Sequence, residues 1–326
     1  MQKKTSYAVF FMFAYIIMSL LITLSITKIE EKSVDIICIM KVNDQKNGFW
    51  KTLSDGAKMA SKEYGANIKV IGPNEETDIE FQNKLIKESI SKKPDVIILA
   101  AADNERTLPM ALKIKESGIK LIIVDSGLKD NIEDTYIATD NYKAGLCIGR
   151  MLEKYIMEGD KVGIVNFVEN SKPAIERELG VREAFEKNNN TVLNTIYCDS
   201  NPDIAKELTI KMIKDNPDIS AIAALNQYST EGAARAVREL GFKDKIKIVG
   251  MDNSKEQIQY LEDETIAGLV VQKPLNMGYL SVEKAVELLS DKTIPDKIDS
   301  GLLMVTKDNM YTGMYQKVLF PFMEND

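Results

Sequence analysis

The sequence predicts an α/β chain of two doubly wound parallel-sheet lobes, preceded by a transmembrane helix. Three observations carry this expectation. Short apolar runs rich in Val and Ile alternate with helix-period segments at intervals of about thirty residues, as strands and helices do across a parallel sheet. The alternation then starts afresh near residue 143, and two sets of about five strands are too many for one small sheet. No glycine- or serine-rich tether separates the sets, so several short crossings join the lobes. Finally, Lys3 and Lys4 precede an uncharged stretch, 5–27, long enough to span a bilayer.

Residues 34–65 set the pattern. A β-branched apolar run begins at Val34, a polar turn occupies 43–47, and 48–64 keep helix period until Gly65 stops them. A strand at 69–72 ends in Gly72-Pro73-Asn74. Helix 78–92, with Ile79, Gln82, Leu85, Ile86 and Ile90 on one side, leads past Pro94-Asp95 to strand 96–100. Helix 105–117 stops at Gly118 before strand 120–124, and strand 136–139 ends on Asp140-Asn141. The second set opens with helix 143–157, strand 161–166, helix 174–187 and strand 192–197. It continues with helix 202–215, strand 220–225, helix 230–240, strand 247–251, helix 256–263 and strand 266–272. A last long helix, 275–289, follows the second set and returns the chain to the first lobe. The tail 310–326, with Tyr311, Tyr315, Phe320 and Phe322, either packs on the second lobe or offers a docking surface.

Composition excludes several classes of function. A net charge of −7 leaves no basic footprint for nucleic acid. The chain has no histidine, which removes His-dependent triads and the commonest metal ligand. Cys38, Cys147 and Cys198 stand far apart in apolar or helical contexts and read as free thiols, with no metal spacing among them. Neither G-x-G-x-x-G after the first strand nor G-x-x-x-x-G-K-[ST] occurs, so no nucleotide cofactor is expected. The span 5–27 lacks a clean small-x-small cleavage site and no cysteine follows it, so it reads as an uncleaved signal anchor with the rest of the chain outside.

What sits just past the strands is the most informative pattern. The first strand is followed by Asn43, Asp44, Asn47, Phe49 and Trp50, and Trp50 is the single Trp of the chain. Asp125-Ser126 and Asp140-Asn141 end later strands of the first set. In the second set Arg177, Asn226-Gln227, Asp252-Asn253 and Gln272 stand at such ends. Taken singly, an Asp or Asn there is a turn former or helix cap, and Phe49 and Trp50 are core. Taken together, carboxylates, carboxamides and a guanidinium facing aromatics suit a neutral polyhydroxylated ligand. Their oxygens and N–H groups pair with hydroxyls while a ring face covers the C–H side.

From Val34 to Lys307 the chain resembles the ribose-type periplasmic sugar-binding proteins, relatives of the sugar-sensing core of LacI-type repressors. The resemblance rests on Asn47–Ala57 (NGFWKTLSDGA), Ile122–Ser126 (IIVDS), Ile137–Asn141 (IATDN), Ala174–Gly180 (AIERELG), Ala223–Gln227 (AALNQ), Ile248–Asp252 (IVGMD) and Val270–Pro274 (VVQKP). It implies a type I periplasmic-binding-protein fold with three hinge crossings, at Thr139-Asp140, Gln272 and Gly301. The anchor would then be 1–30, the first lobe 33–139 with 273–300, and the second 140–272 with 301–326. It also implies that Asn47, Phe49, Trp50, Asp125 and Ser126 line a cleft from the first lobe. Arg177, Asn226 and Asp252 would line it from the second, with Gln272 at a crossing strand. Gly48 stands where the family often has Pro, Ser126 where it often has Arg, and Gln227 where it often has Asp. These departures leave the sugar open among pentoses, hexoses and cyclitols.

The resemblance implies hinge closure on a sugar, with two candidate readers of the closed form. An uncleaved anchor suits a receptor docking on a membrane histidine kinase of a two-component system. The alternative is the solute-binding subunit of an ABC-type importer, docking on its permease. A rival from another class is glycoside hydrolysis by Asp125 and Asp252 as a carboxylate pair, which the resemblance assigns to hydroxyl binding instead.

Overall fold

The computed structural model describes residues 12–19, 33–43, 48–186, 190–290 and 292–320. Residues 12–19 are helical (α1), with Met12, Phe13, Tyr15, Ile16, Ile17 and Met18 exposed. Among the described residues no helix is long and apolar enough to cross a membrane, and most of the expected span 5–27 lies outside them.

From Asp35 onward the chain builds two sheets. The first has the order β12-β5-β4-β3-β1-β2, all parallel. Its strands are β1 (Asp35–Ile39), β2 (Asn67–Ile71), β3 (Val96–Leu99), β4 (Lys120–Val124), β5 (Thr135–Ala138) and β12 (Lys297–Asp299). The central strands VIIL and KLIIV are apolar on successive residues because helices cover both faces, so no alternation survives. The second sheet has the order β13-β11-β10-β9-β6-β7, with β8 also on β6. Its strands are β6 (Lys161–Asn166), β7 (Thr191–Val192), β8 (Ile196–Tyr197), β9 (Ile219–Ala224), β10 (Lys247–Met251), β11 (Ile266–Gln272) and β13 (Leu302–Val305). β13 alone runs antiparallel, with Gln272 opposite Leu302.

Both sheets therefore place their first strand between the second and the third, the doubly wound order that creates a switch point. The chain passes between sheets three times: after β5, after β11, and between β12 and β13. Two of these passages are bonded together. Ser300 N–H donates to Ala138 O at 2.9 Å, and the Asp299 carboxylate accepts from Gly301 N–H at 2.8 Å and from Asp140 N–H at 3.3 Å.

The helices are α2 (Gly48–Glu63), α3 (Ile79–Ser91), α4 (Leu108–Glu116), α5 (Asn141–Leu152), α6 (Lys172–Phe185), α7 (Pro202–Asp215), α8 (Gln227–Glu239), α9 (Lys255–Glu262), α10 (Pro274–Leu289) and α11 (Gly313–Leu319). Several starts differ from the expected ones because a side chain at the strand end caps the helix. Asp140 accepts Lys143 N–H, and Asn226 accepts Ser229 N–H. Helix α4 starts later than expected because Asp103 holds the N–H groups of Glu105 and Arg106 in a turn. Helix α5 ends at Leu152, five residues earlier than expected, where a turn bonds Tyr155 N–H to Leu152 O.

The expected strand 192–197 is two short pieces, β7 and β8. Between them α6 takes over the edge: Arg182 donates to Leu193 O and to Thr195 Oγ1, whose hydroxyl bonds Glu178. Strands β12 and β13 and helix α11 were not expected, since none presents a long apolar run. The described part of the tail, 310–320, packs on the second sheet, with Met310 and Leu319 in its core, while Phe322 lies outside the described residues. Cys38 and Cys198 are buried free thiols, and burial pushes Cys38 up to about 12.

Candidate functional site

The carboxyl ends of the two sheets meet in a cavity of about 40 Å³. From the first sheet come Lys41, just past β1, Asp125, just past β4, and Phe49 and Trp50 in the first turn of α2. Phe167, Arg177, Asn226 and Asp252 face them from the second, and Gln272 closes the space from the end of β11. All but Phe49 of these are buried.

Asp125 and Asp252 hold equivalent places, each one residue past the strand that stands fourth from the β2 or β7 edge of its sheet. Both adopt left-handed backbone, with φ of 59° and 72°, a conformation that Asp tolerates better than most residues. The Asp252 carboxylate accepts Gln227 N–H at 3.0 Å and Gln272 Nε2 at 2.8 Å. That leaves Gln272 Oε1 buried with no partner among the described residues. Burial pushes the Asp252 carboxyl above its ordinary range, against the pull of Arg177 and these bonds. The Asp125 carboxylate makes no hydrogen bond among the described residues. Burial pushes it up to about 6, with Lys41 and Arg177 holding it down and Glu76 and Asp252 adding to the rise.

Arg177 sits in the second turn of α6, where its Nε donates to Asn141 Oδ1 at 2.9 Å and its Nη1 to Leu225 O at 2.8 Å. Its guanidinium lies 5.7 Å from the Phe167 ring centre, and Lys41 Nζ lies 5.3 Å from the same centre. Lys41 is 2% exposed, an extreme burial for a lysine, and Glu76 at 3.5 Å and Ser171 Oγ at 3.0 Å compensate it. Glu76 also fixes the aromatic wall: its Oε1 accepts Trp50 Nε1–H at 3.0 Å, and Phe49 stands edge-on to Trp50 at 5.0 Å.

Phe49, Trp50, Asp125, Arg177, Asn226, Asp252 and Gln272 all line this one cavity. Asn47 lies outside the described residues. Ser126 does not line the cavity, and its buried hydroxyl has no partner among the described residues. Asn226 lines the space while its Oδ1 caps α8, so the capping and lining roles coexist. Lys41, Glu76, Phe167 and Gln227 line the space without having been singled out as site residues. Lys41 carried a readable signal, a charge appended directly to the apolar run IICIM. Glu76 carried none, since it stands in a polar loop.

The arrangement offers acceptors, donors and flat ring faces in one buried space. A periplasmic binding protein domain model matches residues 39–293. The chain belongs to the periplasmic binding protein domain family. Its relatives are of the ribose type. It is 25% identical over 265 residues to the D-ribose/D-allose-binding protein of Pseudomonas aeruginosa, covering 79% of this chain and 83% of that one. The crystal structure of a sugar transporter from Clostridium phytofermentans is similar at 44% identity and a TM-score of 0.79, over 85% of this chain and 100% of that one. An ABC transporter solute-binding protein from Agrobacterium vitis with bound D-fucose matches at 27% identity and a TM-score of 0.83, over 87% and 99%. Members of this family bind sugars and are not enzymes, so the reading of Asp125 and Asp252 as a hydrolytic pair is set aside.

Proposed function

We infer that this chain is an extracytoplasmic monosaccharide receptor that closes on a pentose, hexose or cyclitol. The observation that carries this reading is the pairing of Asp125 and Asp252, at equivalent strand ends of two sheets, across one buried space with Arg177 and Trp50. Asp125, Asp252, Asn226 and Gln272 would pair with hydroxyls, Arg177 and Lys41 would donate, and Trp50 and Phe167 would cover ring faces. The names of the relatives, which include D-ribose, D-allose and D-fucose binders, support the ligand class. The lobes are assigned as 33–139 with 273–300 and 140–272 with 301–326, hinged at Thr139, Asp140, Gln272 and Gly301. Adjacency of the crossings supports that assignment, because neighbouring strands can bend about one axis.

Two partners have support from different observations. The relatives include an ABC transporter solute-binding protein, which favours delivery to an importer permease. The uncharged stretch 5–27 behind Lys3 and Lys4 favours a single-pass tether and a report to a membrane histidine kinase. Deleting the chain from cells separates them: loss of sugar uptake supports the importer, and loss of sugar-induced kinase phosphorylation with uptake intact supports the sensor.

Binding itself is tested by melting the full-length chain with D-ribose, D-xylose, D-glucose, D-galactose and myo-inositol. A ligand at a hundred times its Kd stabilises the native state by about 2.7 kcal/mol. Trp50, the single Trp, should change its emission with the same ligand. Asp252→Ala should abolish both signals while the protein still melts cooperatively. No shift with any member of the panel overturns the reading.

A further inference from the structure

A second and far larger cavity, about 670 Å³, opens beside the first. The two share Phe49, Gln227, Asp252 and Gln272, so they are neighbouring compartments of one space. The far walls of the larger compartment are different in kind. Pro274 and Leu275 line it from the start of α10, and Met314, Val318 and Leu319 line it from α11. Polar residues, Asn276 and Lys317 among them, stand among these walls.

The compartment is held in shape by the site itself. Asn253, next to Asp252, donates its side-chain amide to Val318 O at 3.3 Å and to Leu319 O at 3.2 Å, pinning the end of α11. Gln272 stands at the junction, 3% exposed, with Oε1 lacking a partner among the described residues. A buried amide oxygen left unpaired is costly, and a donor on a ligand lying across the junction would satisfy it. Such a ligand is longer than one sugar ring. Its second part is largely apolar, because Pro274, Leu275, Met314, Val318 and Leu319 are added to the wall and the volume is that of a small-molecule site.

We propose that the larger cavity is a subsite for the apolar aglycone of a glycoside whose sugar ring occupies the Asp125–Asp252 space. The proposal rests on the monosaccharide reading and extends it from a free sugar to a sugar substituted at its anomeric carbon. The substituent leaves the ring past Gln272 and lies between Phe49 and Leu275 on one side and α11 on the other.

The test is calorimetric titration of the full-length chain with D-ribose, D-xylose, D-glucose and D-galactose, with the methyl and phenyl glycosides of each, and with myo-inositol. For the sugar that binds, the phenyl glycoside should bind about tenfold tighter than the methyl glycoside, as burial of one ring face in an apolar wall requires. Met314→Glu, at a side chain 56% exposed, keeps the fold and places a charge on the apolar wall. It should erase the phenyl advantage and leave the affinity for the free sugar unchanged. Binding of free sugar and methyl glycoside with no phenyl advantage overturns the subsite and spares the monosaccharide reading. A phenyl advantage that survives Met314→Glu also overturns the subsite, since the ring would then lie elsewhere. Failure of every sugar and glycoside to bind overturns both.

Discussion

Asp125 carries two opposing demands. Its carboxyl is pushed up to about 6 chiefly by burial, so ionising it in the folded state costs free energy. A carboxyl raised in the folded state contributes stability below its ordinary value, and loses it as pH climbs through about 6. Asp125→Asn should therefore melt higher than the parent at pH 7, by about 3 kcal/mol at most, and the gain should vanish near pH 4. The same substitution removes a hydroxyl acceptor, so sugar affinity should fall by tenfold or more while stability rises. Melting curves at the two pH values and a titration check both halves; an unchanged melting temperature at pH 7 rejects the desolvation account. Lys41 shows the limit of reading residues singly. It stands after an apolar run in the sequence, but only Glu76, Ser171 and Phe167, brought from distant loops, make its burial tolerable.

The elements that carry the site are locked by glycines at close helix crossings. A Cβ on Gly278 of α10 would lie 1.9 Å from Leu53 O of α2, and one on Gly56 of α2 would lie 2.1 Å from Leu275 O. The second sheet repeats the device, with Gly145 of α5 against Arg177 O and Gly180 of α6 against Tyr142 O, at 2.0 and 2.2 Å. Since α2 presents Phe49 and Trp50 and α6 presents Arg177, helix separation sets the position of the side chains in the cavity. Gly278→Ala and Gly180→Ala should each cost about 1–3 kcal/mol in chemical denaturation, the range for overpacking. Gly180→Ala should also weaken sugar binding, because it moves the helix that aims Arg177. A neutral result at both positions would mean that the helix pairs slide freely. Periodicity in the sequence revealed these helices, whereas the close crossings did not show, because an isolated glycine in a helix reads the same whether it faces solvent or a neighbouring backbone.

At the scale of the whole molecule, direct bonds join the loops of the two sheets across the cleft. Lys41 donates to Ser171, Ser200 donates to Glu76 at 2.8 Å, and Lys172 Nζ donates to Leu128 O at 2.9 Å. The backbone adds Asn104 N–H to Asn170 O at 3.1 Å. A space of about 40 Å³ is close to the share of one water molecule in the liquid, so a sugar ring enters only if these bonds part and the sheets separate. In the proposed closure they would re-form around the guest and so contribute to the closing free energy. Lys172→Ala removes one bridge without touching the cavity. It should raise the radius of gyration of the ligand-free protein in small-angle scattering and weaken sugar binding about fivefold, as the competent population falls. An unchanged radius and affinity would show that the bridges do not hold the closed form.

The sequence by itself determined the alternation of strands and helices, the doubling of the pattern and the chemistry at the strand ends. Those features depend on local periodicity and on residues adjacent in the chain. Asp125, Asn226, Asp252 and Gln272 were readable for that reason, each lying at or just past the end of the strand that delivers it, whereas Arg177 comes from the second turn of α6. The tertiary structure alone decided that Ser126 turns away from the cavity, that Glu76 buttresses Trp50, and that α11 walls a second compartment. Glu76 reaches Trp50 from a loop 26 residues further along the chain, and α11 meets the start of α2 only because the chain crosses between the sheets. Such meetings leave no period and no motif in the chain, because they are fixed by how finished elements pack rather than by how any one of them forms.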